Sequence, residues 1–280
     1  MQVLQVDFKS PNAADNFALS LKNTGFAVLK NHPISPDLIK EVFAEWEEFF
    51  NSPNKDKYLF NKDTQDGLFP LKTSETAVGY SVKDIKEFYH YYDWGMYPSE
   101  LSNKTRELKA QMLEIASTLL NWVEEHLPED IKQSLSEPLT AMIKNSNQNL
   151  MRILHYPPLT VEHEEGAVRA AAHGDINLLT VLVAATQSGL QVQDTQGKWH
   201  DVPVDPGMLA VNIGDMLQEA TNGYYKSTIH QVINPVEEKA RNSSRYSIPL
   251  FLHARPDVVL SNRYTADSFL QERLRILGLK

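Results

Sequence analysis

The rhythm of apolar and polar positions changes about halfway along the chain. In the first half, Gly25-Phe-Ala-Val-Leu-Lys-Asn-His32 is a strand-like run closed by Pro33. Ser35-Pro36 then supplies a capping residue and a proline suited to a first helical turn. Leu38, Ile39, Val42, Phe43, Trp46 and Phe49-Phe50 follow at helical spacing and predict a helix. Residues 52–76 are polar, contain Gly67 and Pro70, and predict a loop. The aromatic run Glu87 to Tyr92 predicts a strand. From Ser102 to Leu127 one stripe carries Leu108, Met112, Ile115, Leu119 and Val123, which predicts a long amphipathic helix ended by Pro128.

After Asn149 short β-like runs recur between turn residues: Met151–Tyr156, Leu178–Val183, Gly189–Gln193, Trp199–Val202, Met208–Ile213 and Tyr246–His253. Short strands at this spacing predict a sandwich or barrel. The layout expected is a β-sandwich packed by helices of the N-terminal half, with the strands from 150 to 260 forming most of its core. Glu237 to Ser244 is polar and predicts a solvated hairpin loop.

Composition narrows the function classes. Of 280 residues, 42% are hydrophobic and 22% charged, a globular balance that is too apolar for a disordered chain. Asp and Glu outnumber Lys and Arg, 36 to 27, for a net charge of −9, and no dense basic stripe offsets this, so nucleic acid is not an expected partner. The longest apolar stretch, Leu178 to Ala185, is far short of the ~20 residues that span a bilayer, and the first residues lack a signal-peptide pattern. A soluble, cytoplasmic protein is expected. The absence of cysteine removes disulfides, thiolate metal sites and thiol nucleophiles. A metal would have to sit on imidazole and oxygen.

Among the nine histidines, His173-Gly174-Asp175 forms a His-x-Asp pair. Residues i and i+2 of an extended segment project to one side and can grip one ion, and Gly174 would let the backbone pass without a clashing side chain. Chance alone gives roughly half such a pair in a chain of this size. His230, in Lys226-Ser-Thr-Ile-His230-Gln-Val-Ile, is the best third ligand, on a segment with strand propensity after the Asn222-Gly223 turn. Two imidazoles and one carboxylate form the facial set of non-haem iron(II) oxygenases, which leaves three positions open. The bland alternative, a capping His173 and a core His230, weighs about as much on these residues alone.

Arg245 and Ser247 open a strand-like run and would face the same way, a guanidinium and a hydroxyl shaped to clamp a carboxylate. An ordinary surface arginine is the alternative. Arg241 repeats the pattern in Arg241-Asn242-Ser243, but only Arg245 leads into an alternating apolar strand. Glu162-His-Glu-Glu165 reads as a charged loop, and His155, His200 and His253 have no partner at ligand spacing.

Together these segments resemble the 2-oxoglutarate- and iron(II)-dependent dioxygenases, in the branch that includes isopenicillin N synthase. The resemblance spans much of the chain. It runs from Gly25–His32 through Met151-Arg-Ile-Leu-His-Tyr156-Pro-Pro and Ala172–Thr180. Its most specific part is Trp199-His-Asp-Val-Pro, Gly207–Gln218 and Thr221–Ser227 leading to His230, and Arg245-Tyr-Ser247 completes it. The chain departs from the family pattern at Leu154, often Asn, and at Pro33, commonly Gly. The separation of His230 from Arg245 is also longer than usual, with Arg241 nearer the usual place.

The resemblance implies a mainly β fold with flanking helices around a double-stranded β-helix (jelly-roll) core. On that basis 1–145 is an N-terminal helical and mixed region packing on the core, 146–260 the jelly roll, and 261–280 a C-terminal strand or helix, all one compact unit. It further implies that His173, Asp175 and His230 hold Fe(II), that Arg245 and Ser247 bind the distal carboxylate of 2-oxoglutarate, and that Tyr156 is a further donor to it. The expected reaction consumes O2, releases succinate and CO2, and oxidises, by hydroxylation, a small molecule. An oxidase of the isopenicillin N synthase type, with the clamp turned to a substrate carboxylate, is the rival reading. A non-catalytic jelly-roll binding module is a second. The Glu87–Tyr92 run and the loop from Leu159 to Ala170 are candidates to line the mouth of such a site.

Overall fold

The computed structural model describes residues 1–73, 83–160 and 166–276. Twelve strands run β1 (Gln5–Asp7), β2 (Phe26–Lys30), β3 (Gly67–Phe69), β4 (Glu87–Tyr91), β5 (Leu150–Tyr156), β6 (Ala170–His173), β7 (Leu179–Val183), β8 (Leu190–Gln193), β9 (Trp199–Asp201), β10 (Leu209–Ile213), β11 (His230–Val232) and β12 (Arg245–Leu252). The helices are α1 (Ala13–Thr24), α2 (Pro36–Asn51), α3 (Lys104–Glu125), α4 (Glu129–Ser134), α5 (Leu139–Ile143), α6 (Asp215–Ala220), α7 (Glu238–Arg241) and α8 (Ala266–Ile276).

The strands form two sheets, an eight-stranded one ordered β1-β2-β10-β7-β12-β5-β4-β3 and a four-stranded one ordered β6-β11-β8-β9. β1 joins β2 in parallel, and the other ladders between these strands are antiparallel. Strand alternation gives the larger sheet two working faces. Leu179, Val181, Val211, Ile213, Tyr246, Ile248 and Leu250 belong to the cluster shared with the helices. Phe26, Val28, Phe88, Leu154, Tyr156 and Ala210 belong instead to the cluster shared with Leu190, Val192 and Val232 of the smaller sheet. The space between the sheets is where inward-facing polar side chains can do chemistry.

The helices expected at Ser35-Pro36 and Ser102–Leu127 form as α2 and α3. Pro36 stands at the start of α2, and Leu38, Ile39, Val42, Trp46, Phe49 and Phe50 are its buried face. The fully buried Trp46 donates its indole N–H to Thr105 Oγ1 of α3 at 2.9 Å, so its polar atom is not stranded in the core.

Eight of the twelve strands come from residues after 149, but the N-terminal region does more than pack on them. It supplies both edges of the larger sheet, β1-β2 on one side and β4-β3 on the other. The predicted loop at 52–76 contains β3, whose three residues are all buried; positions 74–76 lie outside the described residues. A three-residue strand is too short to stand out by periodicity. The expected hairpin loop at Glu237–Ser244 holds α7, a single turn of good helix formers, Glu-Lys-Ala-Arg. No described helix is long and apolar enough to cross a membrane.

Candidate functional site

His173 ends β6 and His230 begins β11, and the antiparallel ladder sets them directly opposite one another. Their ring centroids are 4.4 Å apart. Asp175 lies just beyond β6, its Oδ1 at 4.0 Å from His173 Nε2 and 3.8 Å from His230 Nε2. One donor atom from each of the three lies within 4.8 Å of the others, within reach of a single ion. No other group of three or more such residues does so among the described residues.

The tautomers suit a metal. His173 Nδ1–H donates to Ala171 O at 2.7 Å, and His230 Nδ1–H to Thr228 O at 3.2 Å. Carbonyls only accept, so each Nε2 keeps its lone pair free to bind. Burial, and the His230 imidazole beside it, push His173 down to about 4, so that it is neutral at neutral pH. Burial opposes the charge on Asp175, yet the His230 and His173 imidazoles and two hydrogen bonds hold its carboxyl below the usual range. Those bonds come from Thr180 Oγ1 at 2.5 Å and Asn212 Nδ2 at 2.8 Å, both to Oδ2. One oxygen is thereby fixed and the other turned to the histidines, an arrangement that orients a metal-binding carboxylate.

Two glycines allow this convergence. An added Cβ at Gly214 would lie 2.0 Å from Asn177 O; there the backbone closes on the Asp175 turn, with Asp215 N–H donating to Asp175 O at 2.7 Å. Gly25, with φ +73°, ends α1, and a Cβ on it would meet Thr228 Oγ1 at 2.0 Å, on the segment leading to His230. Gly174 does not play the part expected of it. A Cβ there meets Ser227 Oγ at 3.4 Å, an ordinary contact, because the chain does not crowd that point.

Arg245 opens β12 and is 2% exposed. It is paired in register with Tyr156 of β5, and its guanidinium stands 4.9 Å over the Tyr156 ring. Its neighbour Tyr246 faces the helices, so Arg245 and Ser247 face the smaller sheet, on the same side as Thr180 and Asn212. Arg245 Nε–H donates to Gln187 O at 3.0 Å, while Nη1 is buried with no partner among the described residues. A desolvated guanidinium with an unmet donor suits an anionic group. Leu154 sits opposite Ser247, so the side chain there offers apolar contact only. Arg241 is exposed on α7.

Other expected positions fall elsewhere. Tyr89 and Tyr91 of the aromatic run pack in the helix-side core; Phe88 faces inward, and the His90 ring lies beside it, tilted, at 5.1 Å. His155 stacks on Tyr246 at 4.9 Å and binds Glu87 Oε1 at 2.8 Å on the helix side. His200 pairs with Asp194 at 2.6 Å. Glu162–Glu165 and part of the Leu159–Ala170 loop lie outside the described residues. Thr180, Asn212, Arg169 and Gln187 escaped the sequence reading. For Thr180 and Asn212 a signal existed: each is a lone polar residue inside an apolar strand.

Residues 147–254 match the model of the 2OG-Fe(II) oxygenase superfamily, and residues 5–111 that of the non-haem dioxygenase in morphine synthesis N-terminal region. A protein of Shewanella oneidensis assigned as an oxygenase is similar at 50% identity over all of both chains, with a TM-score of 0.90. One of Caulobacter crescentus, assigned to the 2OG-Fe(II) oxygenase family, is similar at 30% identity over 98% of each chain, with a TM-score of 0.80. A 2-oxoglutarate-Fe(II) type oxidoreductase of Aspergillus fumigatus is 29% identical over 265 residues, which cover 85% of this chain and 75% of the relative.

Proposed function

The chain belongs to the 2-oxoglutarate–iron(II) oxygenase superfamily, and from that membership we propose that His173, Asp175 and His230 hold its iron, that Arg245, Ser247 and Tyr156 receive the distal carboxylate of 2-oxoglutarate, and that the reaction hydroxylates a small molecule. The observation that carries this reading is the convergence of three donor atoms within 4.8 Å on histidine tautomers with free Nε2 lone pairs.

Bound iron(II) and 2-oxoglutarate supply the oxidising power: O2 is consumed, 2-oxoglutarate is split to succinate and CO2, and one oxygen atom goes to the substrate. The protein's share is placement. Thr180 and Asn212 fix Asp175 Oδ2 so that Oδ1 faces the histidines. The Ala171 and Thr228 carbonyls hold the two rings in the binding tautomer. Arg245, aligned by Gln187 O, gives the cosubstrate one orientation by charge and hydrogen bonding at its far end. The Tyr156 ring beneath the guanidinium keeps that end dry.

The test is to incubate the iron(II)-loaded protein with 2-oxoglutarate and O2 and measure succinate. The expected result is succinate formation that Arg245→Ala suppresses and Arg241→Ala does not. Iron binding without succinate would turn the reading to an oxidase that uses the clamp for a substrate carboxylate. Failure to retain iron would leave a binding module.

A further inference from the structure

A second arginine lies wholly inside the protein beside Arg245. Arg169, just before β6, has no exposed surface. Its Nη1–H donates to the side-chain oxygen of Gln187 at 2.8 Å, while Arg245 Nε–H donates to the main-chain oxygen of the same residue at 3.0 Å. Gln187 thus ties the two guanidiniums together through neutral acceptors. Among the described residues, no carboxylate is among the groups acting on either one. Each retains a buried nitrogen with no partner among the described residues, Nε of Arg169 and Nη1 of Arg245.

Two buried like charges with two unmet donors are costly on their own. Burial, and then the charge of Arg245, pull Arg169 down to about 10. The cost is relieved when one anion serves both. A purely structural bridge to Gln187 would need only a neutral donor.

We propose that Arg169 supplies the second positive charge of the distal-carboxylate site, so that this end of the cavity selects a 2-oxo acid with a carboxylate at its far end. The inference rests on the assignment of Arg245 to 2-oxoglutarate. Arg245 opens the larger sheet's strand and Arg169 leads into the smaller sheet's, so the carboxylate is flanked from both walls. The guanidinium of Arg169 also feels Tyr156, the residue under Arg245.

The experiment compares two ligands of equal carbon chain, 2-oxoglutarate and 2-oxopentanoate, which lacks the distal carboxylate. Each is titrated without O2 into the iron(II)-loaded protein, with the visible absorption of the chelate and the thermal midpoint as readouts. Wild type is expected to prefer 2-oxoglutarate strongly. Arg169→Gln should weaken 2-oxoglutarate about tenfold or more and leave 2-oxopentanoate within about twofold, while Arg169→Lys should restore most of the preference because it keeps the charge. Equal losses for both ligands would assign Arg169 a structural role and overturn the inference, as would unchanged 2-oxoglutarate binding in Arg169→Gln. If Arg169→Gln fails to fold, the Lys variant decides: a lost preference in a folded, charged variant contradicts it. Wild type that takes no 2-oxoglutarate overturns the underlying assignment, and this inference with it.

Discussion

The two ends of the cavity between the sheets are finished to different degrees. At the histidine end the supporting contacts are complete: both Nδ1 atoms have carbonyl acceptors, and Asp175 Oδ2 has two donors. At the arginine end, two guanidiniums share one glutamine and each keeps a buried nitrogen unmatched among the described residues. The first end is shaped in advance by short-range hydrogen bonds. On the proposed assignment, the second carries an electrostatic demand that an incoming anion meets. On the same proposed assignment, metal placement is a property of the folded chain, and cosubstrate placement a property of the complex.

Breaking the histidine end should have the largest effect. His173→Ala or Asp175→Ala should abolish iron retention, measured as metal content after dialysis, while circular dichroism stays that of the wild type. At the arginine end, Arg245→Ala leaves iron in place and weakens 2-oxoglutarate by about 3–5 kcal/mol, a hundredfold or more, because a buried charge pair loses one member. Anaerobic titration measures it, and the same loss in Arg241→Ala instead would contradict the assignment.

A smaller effect tests whether the histidine end is supported as described. Thr180→Val removes one of the two donors to Asp175 Oδ2 and should cost about 10–100-fold in iron affinity, the range for contacts that orient a ligand. Competition against a metal-binding dye reads it. An unchanged affinity would mean that Asn212 alone suffices.

The smallest effect comes from pH. Burial pushes His253 down to about 4 and lowers His32 as well. In the unfolded chain both take up a proton near the ordinary histidine value of 6.5, while the folded protein holds His253 neutral to about 4. The unfolded state therefore binds more protons across that window, and stability falls as pH drops from about 6.5 towards 4. Melting curves of the metal-free protein should show the fall, and His253→Gln should reduce its slope.

Much of the histidine end was legible in the sequence because its donors are rare residue types on recognisable segments. His-x-Asp, the Asn222-Gly223 turn before His230 and the apolar strand after Arg245 each left a local pattern. The long helices were legible for the same reason, through stripes such as Leu108 to Val123. What stayed hidden was non-local. Nothing around Arg169 says that it is buried, since its burial depends on Gln187 and Arg245, which the fold brings in from the β7–β8 connection and from β12. β3 was missed because three residues show no period, and the part of the N-terminal region in the larger sheet depends on pairing with β10 and β5. Gly174 misled because it stands between two candidate ligands, whereas the glycines that matter, Gly25 and Gly214, touch segments distant in sequence.

The most direct test is a crystal of the wild-type protein prepared without O2 with iron(II) and 2-oxoglutarate, with diffraction recorded across the iron absorption edge. One anomalous peak is expected between His173 Nε2, Asp175 Oδ1 and His230 Nε2, with the far carboxylate against Arg245. A peak elsewhere, or none between those three atoms, would contradict the account.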